Sequence, residues 1–199
     1  MTADYPIERH PFEPFLPEKA RLLMLGTFPP SARRWCMPFY YPNYQNDMWR
    51  IFGLCFFGDK CHFLLEDEKR FDLDAIRPFL VEHGIAMYDT AVRVRRTKNT
   101  ASDKDLEIIE PTDLHAMLEA LPQCRYVITA GQLATSLFCQ SFGVREPKVG
   151  QYVEFSLVPS SSEEERRLRL YRLPSSSRAY PMSVERKAEF YQKVFGLIL

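Results

Sequence analysis

The chain has 199 residues, a length that fits one domain, and its 46% hydrophobic content is enough to form a sizeable core. Lys plus Arg and Asp plus Glu both number 26, so the formal net charge is zero. This balance excludes a protein that attracts polyanions by an overall positive field. We therefore expect a single domain over residues 1–199, in which any nucleic-acid binding depends on local basic patches.

The cysteines and the N-terminus point to a reducing compartment. The five cysteines are scattered, with no C-x-x-C pair and no histidines at zinc-ligand spacing. The N-terminus carries acidic residues rather than the basic start and apolar run of a secretory signal, and no apolar stretch approaches membrane-spanning length. We predict a cytoplasmic protein with buried, reduced thiols, no membrane association and no bound metal.

The first half of the chain indicates two strands and two helices. A short apolar run ending in Gly and Pro is typical of a buried parallel strand, and a long aromatic loop follows it. Asn46 is a candidate N-cap for the next helix, and Gly84 stops the helix after that. The predicted elements are a strand at 21–28, helices opening at 46–52 and at 74–83, a strand at 85–92 and a basic, polar loop at 93–105.

The second half continues the alternation of strands and helices. Ser183 is the predicted cap of the last helix. The predicted elements are a helix at 111–121, a strand at 126–130, a helix at 132–142, a hairpin or strand pair at 151–159 and 170–173 joined by an exposed charged loop, and a terminal helix at 183–197. This alternation predicts an α/β fold, a three-layer α-β-α sandwich with a central, mostly parallel four-stranded sheet.

Ligands of such sheets bind outside the carboxyl ends of the strands, so the loops after Leu25, Tyr88, Ala130 and Leu173 should converge on one crevice. In the first loop, Gly26 allows a ligand close to the main chain and Phe28 offers a ring for stacking a planar base. Taken alone, an ordinary strand end with a core phenylalanine explains this turn better.

Seven short motifs change that interpretation because they occur in a fixed order. They are GTFPPS at 26–31, FYYP at 39–42, NDMWRIF at 46–52, GIAMYD at 84–89, SDKDL at 102–106, AGQ at 130–132 and LPSSS at 173–177. None is specific alone, but in this order they resemble the uracil-DNA glycosylase superfamily, closest to its mismatch-specific and hypoxanthine-type branch. The resemblance covers about residues 20 to 195.

The resemblance implies a uracil-DNA glycosylase-like fold and a monofunctional DNA glycosylase of base excision repair. Such an enzyme flips a deaminated base, uracil or hypoxanthine, out of DNA and hydrolyses its N-glycosidic bond without a cofactor. The implied partner is double-stranded or single-stranded DNA containing a damaged base, bound by a monomer.

The residues that match the family's motifs are the candidate site. Asn46 matches the asparagine of an N-x-F-W motif and would position the attacking water, although helix capping is an alternative role for it. Thr27 and Phe28 could also donate main-chain N–H groups to the departing base. The implied base-binding residues are Gly26, Thr27, Phe28, Pro29, Tyr41 and Gly131, and the implied DNA-binding residues are Pro174, Ser175, Ser176, Ser177, Arg178 and Tyr180.

The segment PSSSRAY at 174–180 resembles the second motif of the superfamily, which would pinch the DNA backbone and insert a wedge into the gap left by the flipped nucleotide. Arg178 and Tyr180 are the two candidates for that wedge, and a plain Ser-rich turn before a helix is the alternative interpretation. Basic residues predicted to flank the crevice could neutralise phosphates, although charge runs are usually solvated faces. They are Arg33, Arg34, Arg93, Arg95, Arg96 and Lys98.

The sequence departs from the family's commonest pattern in three places. Phe28 stands where an Asn or Asp is usual, as in the hypoxanthine-type members, and Pro30 stands where Gly is usual. The segment at 174–180 carries no histidine, whereas many members have one there that stabilises the leaving base. Asp89, which ends the second strand, is expected to hydrogen-bond loop main chain beside the site rather than to act in catalysis.

Two other functions fit the same residues. One is a hydrolase of free nucleosides or another N-glycoside, which the zero net charge favours slightly. The other is a non-catalytic nucleic-acid-binding protein that has kept the fold, since fold alone does not establish activity.

Overall fold

Strands and helices alternate along most of the chain in the computed structural model, which describes residues 5–98, 102–160 and 164–199. The strands are β1 (Ile7–Arg9), β2 (Leu22–Gly26), β3 (Leu64–Leu65), β4 (Arg70–Phe71), β5 (Ile85–Asp89), β6 (Ala91–Arg96), β7 (Leu106–Pro111), β8 (Tyr126–Ala130), β9 (Tyr152–Leu157) and β10 (Arg166–Leu173). The helices are α1 (Met48–Phe57), α2 (Leu73–Glu82), α3 (Leu114–Glu119), α4 (Gln132–Phe142) and α5 (Val184–Ile198).

The central sheet has the strand order β5-β2-β8-β10-β9. The first four strands in that order are parallel to their neighbours, and β9 pairs antiparallel with β10 at the edge. Every residue of β2 and β5 is buried, as expected for parallel strands covered on both faces. The predicted α/β fold with a mostly parallel central sheet is confirmed, with the antiparallel β9 as a fifth strand.

Two groups of helices cover the sheet. The ring of Phe52 on α1 lies 5.9 Å from that of Phe79 on α2 and 5.2 Å from that of Phe195 on α5. In the other group, His115 of α3 stacks on Phe142 of α4 with ring centroids 4.1 Å apart. Right-handed crossovers between parallel strands place these two groups on opposite faces. The order of crossovers therefore gives the three layers that the sequence predicts.

A second, antiparallel sheet was not predicted. It has the order β1-β6-β7 and includes residues that the sequence assigns to a basic loop at 93–105. That prediction is wrong for residues 93–96, which form the end of β6. Arg93 lies 3.5 Å from Glu110 and Arg95 lies 2.8 Å from Glu107 on the neighbouring strand. The charges that indicate a solvated loop are cross-strand partners in a sheet.

Most other boundaries agree with the sequence to within two residues. The strand at 126–130 and the helix at 132–142 are confirmed, and Ser183 Oγ caps α5 by accepting the N–H of Arg186. The helix predicted at 111–121 is shorter, because Pro111 ends β7 and Asp113 caps α3. The charged loop predicted after residue 159 is also shorter, because β10 begins at Arg166; residues 161–163 lie outside the described part of the chain.

Two remaining predictions concern the membrane and the thiols. Within the described ranges, no helix is long and apolar enough to cross a bilayer. Cys124 and Cys139 are buried as predicted, whereas three other thiols are only partly buried, which corrects the prediction for them; these are Cys36, Cys55 and Cys61.

Candidate active site

A cavity of about 250 Å³ opens at the carboxyl ends of the four parallel strands. Gly26 ends β2, Asp89 ends β5, Ala130 ends β8, and the serine turn (residues 175–177) follows β10; all of them line the cavity. This is the crevice that the alternation of strands and helices predicts. Loops far apart in sequence meet here because their strands are parallel.

Most of the residues singled out from the sequence line this one cavity. Three do not. Gly131 faces Ser175 instead, and its φ of +114° favours glycine. Pro174 lies behind the serine turn, where its carbonyl accepts the hydroxyl proton of Tyr191 at 2.9 Å. The Tyr180 ring lies 5.9 Å from Lys187 Nζ. The predicted residues that line the cavity are Gly26, Thr27, Phe28, Pro29, Tyr41, Asn46, Ser175, Ser176, Ser177 and Arg178.

Asn46 lies at the cavity wall immediately before α1. The N-cap of this helix is Asp47, not Asn46, but Asn46 Oδ1 accepts the N–H of Met48 at 2.9 Å. This hydrogen bond identifies the oxygen of the amide and fixes its direction. An amide oxygen has two lone pairs, so Oδ1 can still accept a hydrogen bond from a water in the cavity. Capping and water positioning are therefore compatible for Asn46.

A cluster of charges, buried at Asp47 and Lys187, joins the Asn46 turn to the serine turn. Lys187 of α5 is completely buried, and its Nζ donates to Asp47 Oδ2 and to the Ser177 carbonyl, both at 2.8 Å. Arg178 donates to Asp47 Oδ1 at 3.2 Å, and the Asp47 N–H donates to the Ser176 carbonyl at 2.9 Å. We call Asp47, Lys187 and Arg178 the clasp. It holds two cavity walls in a fixed relation.

A histidine and a carboxylate lie behind the other wall. Nε2 of His10 lies 2.9 Å from Asp89 Oδ2, and both side chains are buried. Asp89 thus contacts a side chain rather than loop main chain, which corrects the expectation for its carboxylate. A Cβ on Gly26 would overlap Asp89 Oδ1, so only glycine fits beside this pair. The His10 ring also contacts Phe28 edge-on, with centroids 5.3 Å apart.

A second carboxylate and a tyrosine hydroxyl complete this wall. Thr27 Oγ1 donates to Asp103 Oδ2 at 2.8 Å, and burial together with the neighbouring Asp89 raises the pKa of Asp103. Tyr41 has a φ of 51°, which is unusual for a residue with a side chain, and its hydroxyl is buried without a hydrogen-bond partner among the described residues. Burial raises the pKa of Tyr41, so the hydroxyl keeps its proton and remains a donor.

The basic residues predicted to flank the crevice are mostly engaged elsewhere. Arg34 lines the cavity. Arg96 donates to Glu8 and to the carbonyl of Pro29, so it holds the first loop, and Lys98 lies 3.7 Å from Asp105. Together with the cross-strand pairs of β6, these contacts leave Arg34 and Arg178 as the predicted cations that line the cavity.

Sequence reasoning missed three residues of the site. His10 lies outside every motif, in the segment after β1. Asp103 falls within the SDKDL motif, yet the spacing does not show that its side chain reaches Thr27. Lys187 lies on a helix whose apolar spacing predicts a buried face, and a lysine on that face is the one signal that could have identified the clasp.

Comparison with known proteins supports the fold. No family model matches the sequence, and no curated protein matches it either. The chain is similar to the solution NMR structure of a proposed uracil DNA glycosylase from Methanosarcina acetivorans, with 22% identity and a TM-score of 0.61. The match covers 97% of this chain and 99% of that chain. This likeness shows a shared fold.

Proposed function

We propose that this chain is a monofunctional DNA glycosylase of the uracil-DNA glycosylase superfamily, in its mismatch-specific and hypoxanthine-type branch. It would remove a deaminated base, uracil or hypoxanthine, in base excision repair. The observation that carries the proposal is that Phe28, Asn46 and the serine turn line a single cavity. The shared fold with a proposed uracil DNA glycosylase supports it.

The cavity suits one planar base. At about 250 Å³ it is smaller than the roughly 300 to 1,000 Å³ of pockets for drug-sized ligands. The Phe28 ring, braced by His10, offers a stacking surface for the base. Base flipping requires a pocket of this kind because the target atom is inaccessible inside a duplex.

Hydrolysis of an N-glycosidic bond places positive charge on the sugar and negative charge on the departing base. Asn46 would hold the attacking water through the free lone pair of Oδ1, in the absence of a carboxylate at position 28. The peptide N–H groups of Thr27 and Phe28 are the proposed donors to the base. No lysine is among the described residues that line the cavity, which supports hydrolysis by water rather than a Schiff base.

The DNA backbone would lie along the serine turn, as an interface to double-stranded or single-stranded DNA. Arg178 is the better candidate for the wedge because it lines the cavity and its side chain is 59% exposed, whereas Tyr180 lies back against Lys187. We propose that a monomer acts, without a cofactor, in the cytoplasm.

The test is incubation of the protein with duplexes that each carry one uracil, hypoxanthine, xanthine or mismatched thymine, followed by hot alkali. Strand breakage reports an abasic site and ranks the bases. Cleavage of free nucleosides without cleavage of DNA would favour the nucleoside hydrolase. Tight binding of the duplexes with no breakage would favour the non-catalytic interpretation.

Asn46→Ala should lower the single-turnover cleavage rate by about 100- to 1,000-fold if Asn46 positions water, with little change in DNA affinity. The Ala variant also loses the bond to Met48, so Asn46→Ser is the matched variant. Serine can accept the Met48 N–H but is too short to hold the same water. Both variants should be slow, and Asn46→Ser should retain thermal stability. Normal cleavage by Asn46→Ser would remove Asn46 from catalysis.

A further inference from the structure

The cavity contains two carboxylates, and their surroundings differ. Asp89 lies 2.9 Å from His10 Nε2 and next to Gly26, so its charge is partly compensated and its position is fixed. Asp103 has a neutral hydroxyl, Thr27 Oγ1, as its hydrogen-bond partner at 2.8 Å, and no ion pair within the described ranges includes it. A carboxylate has about four lone-pair positions, so Asp103 can accept further hydrogen bonds from a ligand.

A hydrogen-bond donor lies in the same cavity. The Tyr41 hydroxyl is buried, and no group in the described part of the chain accepts its proton. The hydroxyl lies 3.5 Å from the position that a Cβ on Gly26 would take, where β2 ends and the first loop begins. An unpaired buried hydroxyl costs free energy unless a ligand or water completes its hydrogen bond. Its left-handed backbone adds strain, of the kind that occurs at functional sites.

We propose that Asp103 determines which base the cavity accepts: its carboxylate accepts the ring N–H of a base with an amide edge, and Tyr41 donates to the adjacent carbonyl. This inference rests on the proposed function and names the substrate class of the same site. The class is the lactam bases, in which a ring N–H adjoins a C=O.

The chemistry of deamination makes this distinction useful. Hypoxanthine and uracil carry a ring N–H next to a carbonyl, whereas adenine and cytosine carry a ring nitrogen lone pair next to an amino group. A carboxylate attracts the N–H and repels the lone pair. The Tyr41 hydroxyl can donate to the carbonyl of the deaminated base, but its oxygen can also accept from an amino group. Tyr41 therefore contributes to binding, and the Asp103 carboxylate provides the discrimination.

The groups that act on Asp103 come from three elements. Thr27 follows β2, Asp89 ends β5 and Arg96 ends β6. His10 lies behind Asp89, and Tyr41 faces the cavity from the aromatic loop. Burial and Asp89 raise the pKa of Asp103, and the Thr27 bond and Arg96 lower it. Because the protonated acid no longer repels a ring lone pair, selectivity should decrease as the pH falls through this pKa. Thr27→Val should move that decrease to higher pH.

The experiment measures binding, by fluorescence anisotropy, of oligonucleotides that differ in one base: hypoxanthine or adenine, and uracil or cytosine. Binding is measured with proteins that carry Asn46→Ser, so that cleavage is slow, and the protein with native Asp103 is compared with Asp103→Leu and Asp103→Asn. Asp105→Asn is the matched control from the same turn outside the cavity. The preference of each variant is its affinity for the deaminated base divided by its affinity for the amino base. Differences in base-pair strength change this ratio equally for every variant, so they cancel when two variants are compared. Asp103→Leu should reduce the preference for the deaminated base by about ten- to 100-fold, the usual range for a hydrogen bond to a charged group.

Asp103→Asn, which keeps the shape and can still bond Thr27, should reduce the preference in the same direction, and Asp105→Asn should leave it unchanged. A purely structural role would weaken both members of each pair equally, and that result would overturn the inference. So would equal binding of hypoxanthine and adenine by the protein with native Asp103. Cleavage of the same oligonucleotides by the protein with native Asn46 is scored separately: its absence contradicts the proposed function, while the binding ratios still decide the role of Asp103.

Discussion

The clasp, of which only Arg178 lines the cavity, and the Asp89–Asp103 wall are two clusters of charge that are built in opposite ways. In the clasp, Asp47 has Lys187 and Arg178 as partners, and the Lys187 ammonium also bonds a carbonyl. In the wall, two carboxylates share the cavity, with His10 bonded to one and a hydroxyl to the other. The clasp satisfies its polar groups internally, whereas the wall keeps acceptors, and the Tyr41 donor, available.

This difference favours a structural role for the clasp and a role in ligand recognition for the wall. A buried ion pair such as Asp47–Lys187 fixes elements in place, because breaking it leaves an uncompensated charge. A cluster with unsatisfied groups costs stability unless a ligand completes it. The two halves of the site therefore differ in what they can do: the clasp holds the Asn46 turn against the serine turn, and the wall has groups that could bind a ligand.

The largest expected effect on stability comes from breaking the clasp. Lys187→Met should lower the free energy of unfolding by about 3 to 5 kcal/mol, because Asp47 remains buried without the ammonium group. Urea denaturation measures the change. Lys193→Met is the matched control, since Lys193 is on the exposed face of the same helix, and it should change stability by less than about 0.5 kcal/mol. Equal effects of the two substitutions would contradict the role of the clasp.

A smaller change in stability, of opposite sign, is expected when Asp103 in the wall is replaced by asparagine. The pKa of Asp103 is raised above 3.8, so the native state binds the proton more tightly than the unfolded chain does. Ionisation therefore destabilises the native state as the pH rises from 3.8 through the raised value. Asp103→Asn should be more stable than the wild type at neutral pH, and this gain should disappear in acid. A stability gain that is the same at both pH values would argue against this cause.

The smallest effect on stability is expected for Arg178→Ala. Its side chain is 59% exposed, so the ion pair with Asp47 contributes less than about 1 kcal/mol. DNA affinity should fall, and the slope of log affinity against log salt should decrease by about 1 if the guanidinium contacts a phosphate. Arg169→Ala is the control, since Arg169 is a half-buried, ion-paired arginine on β10 outside the cavity. A salt slope that both substitutions leave unchanged would place Arg178 outside the DNA interface.

The sequence predicts the central layer well because hydrophobic periodicity reflects burial directly. The strand at 126–130 and the helix at 132–142 are bounded by Gly131, and they agree with β8 and α4 residue for residue. The small sheet escaped prediction because the alternating arginines of β6 also fit a solvated loop. Only the tertiary structure shows that glutamates on β7 lie opposite two of them.

The candidate site likewise contains residues that sequence patterns identify and residues that only the tertiary structure identifies. Phe28, Asn46 and the serine turn could be predicted because their residue types resemble ordered motifs at strand ends. Gly131 and Pro174 stand beside the cavity rather than in it, since a motif fixes positions along the chain but not which way each residue faces. His10, Asp103 and Lys187 could not be assigned to the site from spacing, because their partners are 79, 76 and 140 residues away.

The sequence by itself determined the class of fold, the edge of the sheet where ligands would bind, and the loops that meet there. These follow from local patterns of apolar residues, glycines and prolines that act within a few residues of chain. The tertiary structure alone decided which charges are satisfied and which face the cavity. Hydrogen bonds and ion pairs act through space over about 3 Å, whatever the separation along the chain.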